Sequence, residues 1–173
     1  MRNCLKIFLQ MFFLLVLISA CSKKSQSDTQ TDRTNSDSKI IVEKLEGDEF
    51  NISDLRGEIL VVDFWATWCK PCLGEIPEYN RFYEKYRNKG VKMVGIAMAS
   101  GNGSKIQQSV EKYEIKYPIY NSNNKAPSFF GTIEAFPTTF VLDKNLKIRK
   151  KIVGSAPGKI DEIESLIADL QGE

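Results

Sequence analysis

The chain has 173 residues, 42% of them hydrophobic and 27% charged, which suits one globular domain with a real core. The formal charge is +2, but the N-terminal leader carries Arg2 and Lys6 and no acid, so the remainder is neutral (2 − 2 = 0) and argues against a basic nucleic-acid surface. There is no histidine, and no second closely spaced cysteine pair accompanies Cys69 and Cys72, so the ligand pattern of structural zinc is missing.

The N-terminal segment reads as a targeting signal. Residues 7–18 are apolar apart from Gln10, a run too short to span a bilayer comfortably. Leu17-Ile18-Ser19-Ala20-Cys21 follows, and its small residues before a cysteine resemble a bacterial lipobox. The expectation is a lipoprotein signal peptide over 1–20, cleavage before Cys21 and a diacylglyceride thioether on Cys21. An ordinary signal peptide with an incidental cysteine, or an uncleaved anchor, is the alternative. Residues 22–38 contain no aliphatic or aromatic side chain, and three acids balance three bases. They bury nothing, so 21–38 is expected to be a flexible tether with a mean reach of roughly 20–25 Å. The folded domain is then 39–173.

Lys39 to Leu45 alternates enough for a strand, Gly47-Asp48 marks a turn, and Phe50-Asn51-Ile52 pairs back. Asp54 to Gly57 makes another turn. Ile59 to Trp65 is the central buried strand, and Trp68-Cys69-Lys70-Pro71-Cys72 follows it. Ile76, Tyr79, Tyr83 and Tyr86 then recur at helical spacing, with Pro77 inside the helix and expected to kink it. The two cysteines therefore sit where strand becomes helix. The positive end of the helix favours a thiolate there. One sulfur is then able to attack a disulfide and the other to resolve the mixed disulfide.

Gly90 ends that segment, and Val91 to Ala97 is the next strand. Ser104-x-x-Gln107 fits a capping box opening a helix whose face is Ile106, Val110 and Tyr113. Tyr117 to Tyr120 reads as a short strand, residues 121–125 as polar loop and Ala126 to Phe130 as a helical turn. Thr138 to Leu142 and Lys147 to Val153 form an antiparallel hairpin turning at Lys144-Asn145. Gly158 to Leu170 is the last helix, with an apolar stripe of Ile160, Ile163, Leu166, Ile167 and Leu170. If Cys4 leaves with the leader and Cys21 is lipidated, Cys69 and Cys72 are the only free thiols. A pair closing so small a loop is a poor staple, and export places it where disulfides persist.

Phe64-Trp65-Ala66, Trp68-Cys69, Pro71-Cys72, Glu75-x-Pro77 and Phe136-Pro137-Thr138-Thr139-Phe140 together resemble the thioredoxin superfamily. More narrowly, the chain is similar to its TlpA/ResA branch of membrane-tethered thiol–disulfide oxidoreductases, from about Leu45 to Leu170. The resemblance implies an α/β thioredoxin-like fold: a central mixed β-sheet flanked by helices, with an N-terminal hairpin and a central helix–strand insertion. Glycine often stands in that family where this chain has Leu146.

The resemblance also assigns roles. Cys69 is the nucleophile, usually the more exposed sulfur, and Cys72 the resolving thiol. Phe136-Pro137 is a cis bond beside the pair, against a trans default from sequence alone. Trp68, Lys70, Pro71, Phe136 and Pro137 form the substrate surface, although Lys70 reads equally as a solvated lysine. Trp65 is more often core. Asp63 and Glu75 both match family acids able to take the Cys72 proton. A water-bonded Asp63 and a surface Glu75 are the plain alternatives. The implied activity is reduction of client protein disulfides in the cell envelope, with cytochrome c maturation among the client pathways. The redox-active disulfide itself replaces any cofactor or metal, and a membrane thiol donor re-reduces it. The molecule is expected to be a monomer held to the membrane by lipid on Cys21. A thiol peroxidase or a non-catalytic binding lipoprotein on the same fold are the rivals. A Sco-type copper chaperone fails on cysteine spacing and lack of histidine.

Overall fold

The computed structural model describes residues 39–122 and 126–173. The expected signal peptide, Cys21, the tether and residues 123–125 of the polar loop lie outside them. The described residues form a seven-stranded mixed sheet with three helices. In chain order these are β1 (Ile41–Lys44), β2 (Glu49–Asn51), β3 (Ile59–Trp65), α1 (Lys70–Tyr86), β4 (Val91–Ala97) and α2 (Gly103–Lys112). Then come β5 (Ile119–Asn121), β6 (Thr138–Leu142), β7 (Ile148–Val153) and α3 (Lys159–Gly172). Short 3-10 turns occupy Ile52–Leu55 and Ser128–Phe130.

The sheet order is β2-β1-β5-β4-β3-β6-β7. β3 lies next to β4 in parallel and β6 antiparallel, and all seven of its residues are buried. A strand covered on both faces reads as a continuous apolar run, and Asp63 is the exception within it. Alternate residues feed two cores. Ile59, Val61 and Trp65 pack with Ile76, Tyr79 and Phe82 of α1, Ile106 of α2 and Ile163, Ile167 and Leu170 of α3. Leu60, Val62 and Phe64 pack with Ile40, Ile52, Phe130, Phe140 and Leu146. Because side chains alternate along a strand, Asp63 falls on the first face, under α1 and α3.

Gly95 on β4 stands opposite Asp63. A Cβ there would come 2.5 Å from Ile119 Cδ1 and 3.2 Å from Trp65 Nε1. Glycine is therefore what lets Ile119, Tyr117 and the Trp65 indole pack directly against β4. Trp65 is core, 2% exposed.

Several local expectations change. α2 is capped by Asn102, whose side chain accepts from Lys105 N–H at 3.1 Å. Ser104 lies within the helix, and Gln107 instead donates to Glu111 at 3.0 Å, so the capping box does not form. The buried face of α1 runs through Phe82, with Tyr83 and Tyr86 only partly covered. Pro77 does lie inside α1, as expected. β5 starts at Ile119 and takes in Asn121, which is buried rather than part of the loop. In the β6–β7 turn Leu146 has φ +63°. A left-handed non-glycine residue costs about 1–2 kcal/mol. Burying leucine returns about 1.5–3 kcal/mol, and Leu146 is 4% exposed in the second core. Packing thus accounts for leucine at a position that favours glycine.

Candidate active site

β3 ends at Trp65, and α1 begins at Lys70 after four intervening residues. Cys69 is the N-cap of α1, and its Sγ accepts from the Cys72 backbone N–H at 3.3 Å. Pro71 occupies the first turn, where its missing N–H would have had no helical partner. No acid stands in that turn to oppose a thiolate. Cys69 and Cys72 form a disulfide with their sulfurs 2.04 Å apart. Each cysteine is 4% exposed, so in this oxidised form exposure does not single out Cys69. The asymmetry comes from the helix end: the cap position and the donated N–H belong to Cys69. Both favour the charged sulfur.

The rim is built from three loops. Trp68 is 62% exposed, yet its indole N–H donates to the Ala99 carbonyl at 2.8 Å. Its ring meets Phe136 edge-on at 5.9 Å. The Thr67 N–H donates to Ser100 Oγ at 3.0 Å, and Ser100 Oγ donates to the Met98 carbonyl at 2.8 Å. Ala99 and Ser100 are rim residues that sequence reasoning missed. Phe136-Pro137 is cis. Thr138, next in the chain, pairs with Phe64, which sets Pro137 at the end of the sheet where β3 leads to the cysteines. The Gly154 N–H donates to the Pro137 carbonyl at 2.8 Å. Pro137 is buried, while Lys70 and Pro71 are exposed beside the disulfide.

Behind the disulfide lies a buried polar chain. The Thr139 hydroxyl donates to Asp63 Oδ1 at 2.8 Å and shares a 2.8 Å hydrogen bond with the Tyr79 hydroxyl. Tyr79 also reaches Oδ1 at 3.5 Å. Glu75, one turn along α1 from Cys72, is buried and ion-paired: Lys159 Nζ donates to its two carboxylate oxygens at 3.2 and 3.0 Å. Burial pushes the Asp63 carboxyl up from 3.8 to about 7. The Lys159 ammonium and the Thr139 and Tyr79 hydrogen bonds pull it down, and the Glu75 carboxylate pushes it up. Burial first, then Asp63 and Glu75, push Tyr79 well above its ordinary value of 10.0, so it remains a donor.

The structure thus unites Cys69, Cys72, Trp68, Phe136 and Pro137 at one end of the sheet, with Asp63 and Glu75 beneath. Tyr79, Thr139 and Lys159 are the members of this cluster not assigned a site role from sequence. Lys159 did leave a signal. It falls on the apolar stripe of α3, four residues before Ile163, and at a helix N-terminus, where a cation is disfavoured. Among the described residues, no group of three or more His, Cys, Asp or Glu is placed to hold a metal ion.

A two-cysteine disulfide capping the helix that follows the central strand defines a dithiol–disulfide centre on a thioredoxin-like fold. The AhpC/TSA family model matches residues 36–151, and the chain belongs to that family. The chain is 35% identical to the thiol–disulfide oxidoreductase ResA of Bacillus cereus over 117 residues, 66% of each chain. That match spans just under two thirds of the relative. ResA of Geobacillus thermodenitrificans is 27% identical over 161 residues, 90% of this chain and 91% of the relative. A solved structure of a thiol:disulfide interchange protein DsbE from Chlorobium tepidum superposes with a TM-score of 0.68 at 24% identity, covering 77% of this chain and 93% of that one. It bears on the fold. Lys159 and the rest of α3 lie beyond the family match.

Proposed function

We propose that the protein is an extracytoplasmic, lipid-anchored thiol–disulfide oxidoreductase that reduces disulfides in client proteins. The observation that carries this reading is Cys69 at the α1 N-cap, its sulfur bonded to Cys72 and accepting the Cys72 N–H. The ResA relatives share the activity in their printed names.

After reduction by a thiol donor, the Cys69 thiolate attacks one sulfur of a client disulfide. A Cys69–client S–S bond forms, the client S–S bond breaks, and the leaving client thiolate takes a proton from solvent. Cys72 then gives up its proton and attacks Cys69 Sγ. The Cys69–Cys72 disulfide forms, the mixed disulfide breaks, and the second client thiolate leaves. Two electrons pass from the dithiol to the client. Asp63 lies beneath α1 with a carboxyl near 7, matched to taking the Cys72 proton at neutral pH. Trp68 and Phe136 present the surface on which an extended client strand docks, with Pro137 buried next to Phe136 and exposed Lys70 and Pro71 at its margin. Cytochrome c maturation is the client pathway suggested by the resemblance. Residues 1–20 act as the signal peptide, Cys21 carries the lipid and 21–38 tether the domain.

The test is reduction of insulin disulfides by the full chain with a small dithiol as donor. Cys69→Ser abolishes turnover, and Cys72→Ser accumulates a mixed disulfide on Cys69. Insulin left intact by the wild type, with no trapped adduct, overturns the activity. Mass spectrometry of the membrane-extracted protein tests the anchor: an acylated Cys21 as first residue is expected, and a soluble form starting elsewhere refutes it.

A further inference from the structure

Lys159 stands where an apolar residue would serve the core better. Its side chain is 2% exposed, and its stripe-mates Ile163, Ile167 and Leu170 are all buried. A buried ammonium at the positive end of a helix is opposed both by desolvation and by the dipole. Its contacts say what retains it. Nζ donates to both Glu75 oxygens, donates to the Gly154 carbonyl at 3.4 Å, and lies 5.4 Å from the Tyr79 ring centroid. Glu75 is one helical turn from Cys72, on the same buried face of α1. The pair therefore ties the last helix to the back of the redox centre across 84 residues of chain.

We propose, on the reading of Cys69 and Cys72 given above, that Lys159 is a positioning residue for thiol–disulfide exchange. From α3 it holds Glu75 as a neutralised carboxylate behind Cys72, and so leaves Asp63 as the group that takes up and releases the proton there.

The charged and titratable groups facing Asp63 come from four places. α1 contributes Glu75 and Tyr79. β6 contributes the neutral Thr139, α3 contributes Lys159, and the segment before β5 contributes Tyr117. Lys159 is the cation among them. Its effect on Asp63 is opposite in sign to that of Glu75, and the two groups are bonded to each other. Removing either one uncovers the other.

This gives a signature that simple loss of packing does not produce. The Cys69–Cys72 disulfide of the full chain is reduced in detergent, and Cys69 is converted to its mixed disulfide with thionitrobenzoate. Release of thionitrobenzoate by Cys72 is then followed from pH 5 to 9. In Lys159→Met the midpoint of the pH profile rises by about one unit or more, because Asp63 and Glu75 are left as two carboxylates without a cation. Release near neutral pH slows by about tenfold. In Glu75→Gln the midpoint falls, because Asp63 then faces an unpaired ammonium. Lys159→Arg and the double variant Glu75→Gln/Lys159→Met both return towards wild type. An unchanged midpoint in Lys159→Met, or shifts of the same sign in Lys159→Met and Glu75→Gln, overturns the proposal. Should Lys159→Met not fold, the fall in Glu75→Gln and its reversal in the double variant decide the matter. Carboxyl NMR titration of Asp63 in the resting oxidised protein reads the same opposed shifts without any exchange. A wild type that releases no thionitrobenzoate while Asp63 still moves as stated refutes the oxidoreductase reading and leaves the charge arrangement standing.

Discussion

Replacing Asp63 by asparagine keeps the side chain's shape and its acceptor for Thr139, while removing the charge. The wild-type carboxyl titrates near 3.8 in the unfolded chain and about 7 in the fold. Below the lower value both states hold the proton and the group is neutral towards stability. Between the two values only the folded protein holds it, so stability falls as pH rises. Above about 7 the loss is complete. At about 1.4 kcal/mol per pH unit the full loss is about 4 kcal/mol, of which about 2–3 kcal/mol falls between pH 5 and pH 8. Asp63→Asn lacks this loss. The expected result is that the variant gains about 2–3 kcal/mol on the wild type between pH 5 and pH 8, measured by urea denaturation of the oxidised proteins. The gain is confined to that direction: the variant is the more stable at pH 8, with its advantage shrinking towards pH 5. A constant difference across this range, or one that grows towards acid, refutes the assignment of Asp63 as a carboxyl protonated by burial.

Two other outcomes follow from local geometry. Leu146→Gly relieves a left-handed backbone worth about 1–2 kcal/mol but exposes a core site worth about 1.5–3 kcal/mol, so urea denaturation is expected to show a net loss of about 1 kcal/mol. A stabilised variant would mean that strain, not packing, dominates the turn. Trp68→Ala removes a mostly exposed ring with one hydrogen bond to Ala99, so it costs about 0.5–1.5 kcal/mol of stability. It is expected to raise KM for insulin several-fold while leaving reduction of the pair by a small dithiol near wild type. Equal losses with both substrates would remove Trp68 from the client surface.

The centre of the fold was legible because its signals are local. The run Ile59 to Trp65 is apolar apart from Asp63, and the strand has those bounds. The WCKPC segment places the cysteines at a helix start by sequence order alone. Capping was misread at α2 because Asn102 and Ser104 are both good caps, and only the backbone decides between them. The polar cluster was half legible. Asp63 and Glu75 stood out as acids near the cysteines. Thr139 meets Asp63 through β3–β6 register and Lys159 meets Glu75 through packing of α3 on α1. No spacing along the chain records either meeting.

The disulfide's burial has a kinetic consequence. Each cysteine is 4% exposed, and the surface beside the pair is framed by Trp68 and Phe136. Under the proposed exchange, the donor that loads electrons and the client that removes them must reach the same two nearly buried sulfurs. The two partners therefore compete for the same sulfurs and take turns at them. Turnover follows a double-displacement scheme, with parallel lines in double-reciprocal plots and inhibition by excess of either partner. Flux through the protein is then governed by the ratio of donor to client as well as by their amounts.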